Sequence, residues 1–417
     1  MTQLSDDCFA FGGSLLSIED GIRRISERVE PVVATETVEL SAADGRILAA
    51  EVVAPINLPP ADNAAVDGYA VRHGDLAATA ATLLPIEGRD VAGAPTCAPL
   101  TPGTARRIFT GARLPDGADT IFMQEDVEAL GPLVRLPAGL RQGANTRRSG
   151  EDIAAGVVAL PQGRRLRPQD IALAAALGLT RLPVRRPPRV AIFSTGNEIV
   201  PPGAPISPGQ IYDANRYLLS SLAVRAGATV TDLGILADDR TATVLALHAA
   251  VADSDLLLTS GGVSTGDEDH VKAAVEAVGR LVFWRLAVKP GRPVAMGVIH
   301  GVPLAGLPGN PVAAFITFAL VVRPLIARLA GETWARPVTF PVRSAFAYRK
   351  KPGRREYVRV RLVRAADGVM EAHKHAQDGA GILTSLTTTH GLVEVPETVT
   401  AIARGDTVGF LSYDALI

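Results

Sequence analysis

The stretch TSGGVSTGDEDH, residues 259–270, joins a glycine turn to a cluster of acids. Gly261 and Gly262 favour a turn whose backbone N–H groups approach an anion. The acids at 267–269 would repel that anion unless a hard cation such as Mg²⁺, which prefers oxygen ligands, lay between them. The same acids would also serve as ordinary caps of a helix that begins there. The stretch therefore indicates a metal-bridged anion site or a capped helix start.

More acids occur where other apolar runs end. Glu198 follows the run in VAIFSTGNE, and Asp238 and Asp239 follow the run in LGILADD. The number of acids at run ends exceeds what helix capping requires, which favours a shared Mg²⁺ site.

Two further turns contain candidate ligand-binding residues: one carries two cations, and the other precedes an expected helix. In AVKPGRP, Lys289 and Arg292 flank a Pro-Gly turn, a pattern that suits an oxyanion and is equally common in solvated surface turns. In GLPGNPV, Asn310 precedes Pro311 at an expected helix start, where Asn is a common N-cap.

The elements that must position these residues alternate between strand and helix from residue 190 to 329. Near-continuous apolar runs separated by helical segments predict a parallel sheet covered on both faces. Because the carboxyl ends of parallel strands share one edge, we expect residues 194–198, 259–269 and 307–311 to be neighbours. The residues alone thus predict a Mg²⁺-assisted enzyme of phosphate or oxyanion chemistry.

The flanking regions have a different pattern. Residues 17–29 and 168–178 have the spacing and end signals of helices, while residues 52–136 consist of short β-like runs broken by Pro and Gly. If the two helices pack together, the β-rich module is an insertion in a discontinuous first domain. Residues 181–189 have the composition of a linker, and the chain beyond residue 333 is expected to form a small β-domain.

Composition excludes several classes of protein. With 417 residues, 47% of them hydrophobic and 20% charged, the chain should form roughly two to four domains. A net charge of -1 provides no global attraction to nucleic acid or to an acidic membrane. Cys8 and Cys97 are far apart, and the N-terminus lacks a basic region before its short apolar run. The most apolar run, 312–322, stops at Arg323 and Pro324, short of the ~20 residues that a bilayer needs. We therefore expect a cytoplasmic protein with no nucleic-acid or membrane partner.

Taken together, the motifs resemble those of the molybdopterin molybdenumtransferase family, known as MoeA in bacteria and as the E domain of gephyrin in animals. The matching segments are PPADNAAVDGYAVR, RIFTGARLPDGADTIFMQED, RRSGEDI, STGNE, GQIYDANRYLL, LGILADD, SGGVSTGDEDH, KPGRP and LPGNP. The resemblance covers nearly the whole chain. It implies a multidomain α/β fold with a discontinuous helical/β domain at 14–51 and 140–180 and an inserted β-rich domain at 52–139. A molybdopterin-binding α/β domain at 181–330 and a C-terminal β-barrel at 331–417 complete it.

The resemblance implies molybdenum insertion. Members of the family take adenylylated molybdopterin and molybdate, cleave the pyrophosphate link with Mg²⁺ and release AMP. The implied catalytic residues are Asp62 and Thr110 from the second domain and Glu198, Asp238 and Asp269 from the central domain. The last three are the implied metal ligands. In the family the cleft lies between these two domains of opposite protomers of a homodimer.

The resemblance also implies a set of ligand-binding residues. They are Gly261, Gly262, Ser264, Lys289, Arg292, Pro308, Asn310 and Ser385. Possible protein partners are the adenylyltransferase of the pathway and maturation proteins of molybdoenzymes.

The chain departs from the family pattern at a few positions. Ala64 and Val66 replace the usual Ser and Met, Thr265 replaces a common Val, and Arg292 replaces a frequent Lys. These changes concern fine specificity rather than activity, because the implied catalytic acids are all present. Two other functions stay open: the related adenylyltransferase, which consumes ATP, and a non-catalytic scaffold. The histidines of the HKH segment at 373–375 are expected to lie on the surface.

Overall fold

The structure is a computed structural model that describes residue 9 and residues 15–94, 98–236, 239–261 and 270–417. Short strands dominate the part before residue 189. Its elements are α1 (Ile18–Arg28), β1 (Thr35–Glu39), β2 (Val52–Val53), β3 (Asn63–Ala64), β4 (Gly68–Val71), β5 (Thr82–Asp90), β6 (Ala105–Ile108), β7 (Thr120–Met123), β8 (Glu128–Leu130), β9 (Leu133–Leu136), β10 (Thr146–Arg147), β11 (Val158–Leu160), α2 (Pro168–Ala176) and β12 (Arg181–Arg185).

Strands and helices alternate in the central part. Its elements are β13 (Arg189–Thr195), β14 (Ile199–Val200), β15 (Ile211–Tyr212), α3 (Asn215–Arg225), β16 (Thr229–Leu236), α4 (Arg240–Ala252), β17 (Leu256–Ser260), α5 (His270–Val278), β18 (Gly279–Arg285), β19 (Val288–Lys289), β20 (Pro293–Ile299), β21 (Val302–Leu307), α6 (Pro311–Thr317) and α7 (Arg323–Leu329). The closing part is again mostly strands. They are β22 (Phe340–Ser344), β23 (Tyr348–Arg349), β24 (Arg355–Arg364), β25 (Met370–Lys374), β26 (Gly391–Val395), β27 (Ala401–Ile402) and β28 (Thr407–Ser412), with short helices α8 (Thr384–Thr387) and α9 (Tyr413–Leu416).

The β-rich module is an insertion, as expected. Strand β1 pairs with β12, and β2 pairs with β11, so the chain leaves a small domain and returns to it. Between these pairs lies a six-stranded sheet in the order β7-β4-β6-β5-β9-β8. The pairing of β12 also shows that the linker interpretation of residues 181–189 is wrong: Leu182 and Val184 alternate into the core as strand residues do.

The condition that the two early helices pack on each other is not met. Helix α1 begins at the predicted place, where the Ser17 side chain accepts a hydrogen bond from Asp20 N, but it packs against α7 rather than α2. Its apolar stripe, including Ile18 and Ile25, joins the main core of the central part. The Val32 N–H donates to the Leu329 carbonyl at 3.1 Å and fixes the end of this contact. The insertion is thus established by strand pairing alone.

The central sheet has the order β16-β13-β17-β21-β20-β18. Its first four strands are parallel, which confirms the predicted strand-helix alternation. The sheet is nevertheless mixed, because β20 and β18 run antiparallel to their neighbours. The tight turn His300–Gly301, with both residues at positive φ, joins β20 directly to β21, and a two-residue hairpin requires antiparallel strands.

The most apolar segment forms a core helix. Helices α6 and α7 continue through a π-helical turn at Phe318–Val322, so the helix spans 19 residues, Pro311–Leu329, and extends beyond the apolar run that ends at Arg323 and Pro324. Pro324 lies in the first turn of α7, directly after the π turn, where its missing N–H is tolerated. The length and composition would suffice to cross a membrane, but 89% of its apolar window is buried in the protein. The core of the central part accounts for this apolar sequence.

The C-terminal strands close into a barrel. Strands β24, β25, β22, β28 and β26 pair in that order, and β26 pairs again with β24. The short strand β19 of the central part pairs with β24 in parallel and attaches the barrel to the central sheet. Together with the inserted module and the mixed sheet, the barrel confirms the predicted fold class.

Gly68 is expected to be irreplaceable in the β-rich sheet. A Cβ at this position would lie 1.8 Å from the Phe122 carbonyl oxygen, whereas a Cβ at Gly74 would meet nothing closer than 3.9 Å. We predict that Gly68→Ala lowers the free energy of unfolding by about 2 kcal/mol or more, because strand pairing must shift. Gly74→Ala is the matched control and should change it by less than about 0.5 kcal/mol. Urea denaturation of both variants tests this, and equal stabilities would contradict it.

Candidate active site

Three strand ends meet at one edge of the central sheet. Ser194 of β13 is in register with Ser260 of β17, which is in register with Leu307 of β21. The Gly261 N–H donates to the Leu307 carbonyl at 3.1 Å, and the Ser260 hydroxyl donates to the Pro308 carbonyl at 3.1 Å. The predicted proximity of these loops is confirmed for their described residues.

Asn215 holds this edge together. Its side-chain amide donates to the Ser260 hydroxyl at 2.8 Å and to the Gly309 carbonyl at 2.7 Å. Sequence reasoning included Asn215 in the segment GQIYDANRYLL but assigned it no role. The sequence signal was its position at the start of a helix that lies between β13 and β16, two adjacent strands of the central sheet.

Glycines make the close approach possible. Gly261 has φ +84°, and a Cβ there would lie 3.6 Å from the Thr195 carbonyl oxygen. A Cβ at Gly309 would lie 4.0 Å from the Gly261 Cα. The backbones of three loops therefore pass within van der Waals distance, and their polar groups line one edge.

Glu198 lies beside these loops with an exposed side chain. Its carboxylate folds back over Gly196, where an added Cβ would come within 2.5 Å of Oε2. No arginine or lysine in the described ranges forms an ion pair with this carboxylate. An exposed, uncompensated carboxylate at the strand-end edge fits a cation ligand.

Several predicted site residues lie outside the described residues. They are Asp238, Gly262, Ser264 and Asp269, together with the departing residue Thr265. Asp239 is described, and its carboxylate accepts a hydrogen bond from Ala242 N at 2.7 Å as the N-cap of α4. Asp239 is therefore a cap.

Asp62 and Thr110 come together in the β-rich module. The Asp62 carbonyl accepts from Leu114 N at 2.8 Å, and its exposed carboxylate accepts from Ser149 N at 2.7 Å. The backbone N–H and the hydroxyl of Thr110 both donate to Oδ1 of Asp67, each at 2.7 Å. These bonds, the backbone one first, hold the pKa of Asp67 below its ordinary value. Asp67 is a residue that sequence reasoning missed, although it lies in the segment DNAAVDGYA.

The KPGRP turn lies between the central part and the barrel. Its Gly291 has φ +105° and faces α6 so closely that an added Cβ would lie 2.5 Å from Thr317 Oγ1. The Lys289 ammonium lies 3.3 Å from Oε2 of the buried Glu356, while Arg292 is exposed. The turn therefore presents two cations on a rigid backbone.

The turn borders a cavity of about 180 Å³ whose walls include Lys289, Tyr348, Glu356, Arg359 and His375. Of the HKH histidines, His373 is exposed as predicted, while His375 lines this cavity.

Ser385 is placed differently from the expectation of direct ligand contact. It is 0% exposed, and its hydroxyl accepts from Arg359 Nη1 at 3.0 Å and donates to the Ile382 carbonyl. Arg359 is itself only 5% exposed and also donates to the carbonyls of Gly379 and Gln377. Burial lowers the pKa of Arg359 below its ordinary value. The Ser385 hydroxyl thus holds the Arg359 guanidinium in place, and Arg359 is a residue that sequence reasoning did not single out.

Asn310 occupies the N-cap position of α6 but makes no side-chain cap hydrogen bond. A barrel segment at Ala380 supplies part of the cap instead, because its carbonyl accepts a hydrogen bond from Val312 N at 3.0 Å. The exposed Asn310 side chain and the neighbouring Pro308 carbonyl therefore lie at the strand-end edge, beside Gly261 and Gly309.

Three features define the class of this protein: a mixed α/β sheet with a polar strand-end edge, an inserted β-rich module and a closing barrel. It is a multidomain protein of the molybdopterin-binding class. Three family models match: "MoeA N-terminal region (domain I and II)" at residues 16–178, "Probable molybdopterin binding domain" at 191–328 and "MoeA C-terminal region (domain IV)" at 341–413. The chain belongs to the MoeA family of molybdopterin molybdenumtransferases.

Individual relatives agree with the family models. The molybdopterin molybdenumtransferase of Haemophilus influenzae is 35% identical over 97% of this chain and 100% of its own length. The protein of the same name from a Nostoc species is 37% identical over 90% of this chain and 88% of its own. The crystal structure of the molybdopterin biosynthesis MoeA protein from Pyrococcus horikoshii superposes with a TM-score of 0.80 at 29% identity, covering 96% of this chain and 100% of that one.

Asn215→Ala should loosen the strand-end edge. It removes two hydrogen bonds and leaves the Gly309 carbonyl without this donor, so we expect the free energy of unfolding to fall by about 1–2 kcal/mol. Amide exchange around Ser260 and Gly309 should become faster than in the rest of the sheet. Ser221→Ala, which removes a hydroxyl bond on the exposed side of the same helix, is the control. Unchanged exchange at this edge would show that Asn215 does not hold it.

Proposed function

We propose that this chain is a molybdopterin molybdenumtransferase that inserts molybdenum from molybdate into adenylylated molybdopterin, with Mg²⁺-assisted cleavage of the pyrophosphate link and release of AMP. The observation that carries the proposal is the convergence of Ser260, Gly261 and Gly309 at one sheet edge, in a chain related along its whole length to enzymes of that name. Backbone groups in close-packed glycine loops suit a phosphate-bearing ligand.

The cavity beside the KPGRP turn is the proposed place for the oxyanion. Lys289 lies at its wall with its ammonium 3.3 Å from Glu356 Oε2, and the buried Arg359 provides a fixed planar donor. Two cations of these types suit a small tetrahedral anion. Ser385 holds the Arg359 guanidinium in place, and exposed Arg292 adds positive charge at the entrance.

Glu198 is the proposed Mg²⁺ ligand within the described residues, and Asp238 and Asp269 are proposed to complete the set. The Glu198 carboxylate is exposed at the strand-end edge, and within the part of the chain that the structure describes no arginine or lysine pairs with it, which supports this role. Bound Mg²⁺ would neutralise the pyrophosphate and polarise the bond to be cleaved. The chain's own contribution is to place glycine-loop N–H groups, Asn310 and the Pro308 segment around the phosphates.

Asp62 and Thr110 are proposed to act from the β-rich module. The Thr110 hydroxyl proton is donated to Asp67, so this hydroxyl can accept but not donate a hydrogen bond to a ligand while that contact persists. We propose that the module of one protomer faces the central edge of the other in a cytoplasmic homodimer. Proposed partners are the adenylyltransferase and molybdoenzyme maturation proteins.

The adenylyltransferase alternative would require ATP consumption. The match over the inserted module and the barrel, in addition to the central domain, favours the molybdenumtransferase. A scaffold without activity is disfavoured because the carboxylates of Asp62 and Glu198 are both exposed.

Molybdate should trigger AMP release from adenylylated molybdopterin in the presence of Mg²⁺. Excess chelator should slow this release, because carboxylates facing a pyrophosphate without a cation repel it. Chromatography of AMP, together with reconstitution of a molybdenum enzyme by the pterin product, measures the reaction. Consumption of ATP would instead favour the adenylyltransferase, and AMP release that ignores both molybdate and chelator would refute the mechanism.

Two inactive variants should complement each other when mixed. In a shared cleft, an Asp62→Ala chain and an Asp269→Ala chain can assemble one intact site per mixed dimer. Mixing and re-equilibrating the two proteins should restore part of the wild-type AMP release, while each alone stays inactive. The control is the Asp269→Ala protein taken alone through the same mixing and re-equilibration steps. An active monomer in ultracentrifugation would contradict the shared site.

A further inference from the structure

A stack of two arginines and two aromatic rings lies on the β-rich module beside Thr110. The guanidinium carbon of Arg107 is 5.0 Å from the Tyr69 ring centroid and 4.7 Å from the Phe109 ring centroid. The guanidinium carbon of Arg89 is 5.0 Å from the Phe109 ring centroid. All three distances are within the range of cation–π contact.

Strand register creates this stack. Tyr69 of β4 is paired with Arg107 of β6, and Arg89 of β5 is also paired with Arg107. Three neighbouring strands therefore carry the residues side by side on one face. Phe109 follows β6 directly and precedes Thr110, so its ring joins the stack next to the Thr110 turn.

The arginines of the stack interact only weakly with carboxylates: the Arg107 charge helps to lower the pKa of the Asp67 carboxyl, after the hydrogen bonds that Thr110 donates to it. In the described ranges neither Arg89 nor Arg107 forms an ion pair with an acid. Arg107 is held instead by neutral groups: it donates to the Gly68 carbonyl at 3.1 Å and to the Gln124 side chain. Arg89 is exposed, and the nearby Val91 is 41% exposed. The surface thus combines free positive charge, flat π-faces and exposed apolar area.

We propose that Arg89 and Phe109 form a subsite for the nucleotide half of the substrate, with Arg107 and Tyr69 supporting the Phe109 ring. The inference rests on the proposed function, in which the substrate carries an adenylyl group. A purine base offers a π-face for stacking on an arginine plane or a phenyl ring, and its phosphate is attracted by the two guanidinium groups. The position beside Thr110 and Asp67 places this subsite next to the Asp62 loop.

Binding of AMP to the full-length chain, measured by calorimetry, tests the subsite. Arg89→Ala and Phe109→Leu should each weaken AMP binding roughly tenfold, the scale of one lost stacking contact. Arg89→Lys keeps the charge but loses the planar face, so it should recover only part of the affinity. Arg135→Ala, which removes an exposed arginine paired with Glu128 elsewhere on the module, should leave AMP binding unchanged.

Ribose 5-phosphate distinguishes stacking from simple charge attraction. It has the phosphate but no base, so Phe109→Leu should leave its affinity nearly unchanged. An equal loss for ribose 5-phosphate and AMP, wild-type affinity in both Arg89→Ala and Phe109→Leu, or no AMP binding by the wild-type chain at millimolar concentration would overturn the proposal. Matching circular dichroism spectra and melting temperatures establish that the variants are folded.

Turnover separates this proposal from the function on which it rests. With adenylylated molybdopterin, Phe109→Leu should raise KM while kcat changes little. If the wild-type chain turns over and the variant keeps its KM, the subsite fails and the function stands. If the wild-type chain releases no AMP, the proposed function fails, and AMP binding alone decides the subsite.

Discussion

One side-chain amide joins the loops on which the central site depends. Asn215 bridges the end of β17 and the turn after β21, and it can do so because α3 begins directly beneath them. The start of α3 is itself fixed by buried Arg216, which donates to Asp213 at 2.8 Å and to Asp232 of the neighbouring strand β16. A buried charge of this kind is stable only with its partners in place. The helix cannot shift without breaking this pair, so the loop spacing is set by a rigid support.

The parts that sequence could predict depend on local patterns. Apolar runs ending in glycine loops identify β13, β17 and β21, and the rule that parallel strands share a carboxyl edge predicts that the loops carrying Ser260 and Gly309 are neighbours. Helix α2 begins at Pro168 and is followed by Gly178 at φ +79°, as its end signals indicated. The motif resemblance extended this to the barrel and to the placement of Asp62 and Thr110 in one module.

The parts that sequence could not predict depend on contacts between distant residues. Nothing near Ser385 shows that its hydroxyl would be buried under Arg359, because that burial results from how β24 and α8 fold together in the barrel. Leu182 and Val184 stand in a segment rich in proline and arginine, which gives no strand signal of its own. The segment forms a strand because it pairs with β1. The continuation of the core helix past Pro324 required a π turn, which has no simple sequence signature. Asp67 was overlooked because its hydrogen bonds to Thr110 form only in the folded loop.

The docking of α1 on α7 has a consequence for how the chain reaches its native state. The Val32 N–H bonds to the Leu329 carbonyl, and the Arg328 side chain bonds to the Val29 carbonyl, so the first helix completes its core with residues made some three hundred positions later. Synthesis proceeds from the N-terminus, so α1 is made long before the core helix on which it packs. Its apolar stripe therefore lacks this contact until the core helix has left the ribosome. The inserted β-rich module, whose pairings are more local, can form meanwhile. The contact between α1 and α7 has a very high sequence separation, and contacts of this kind slow folding.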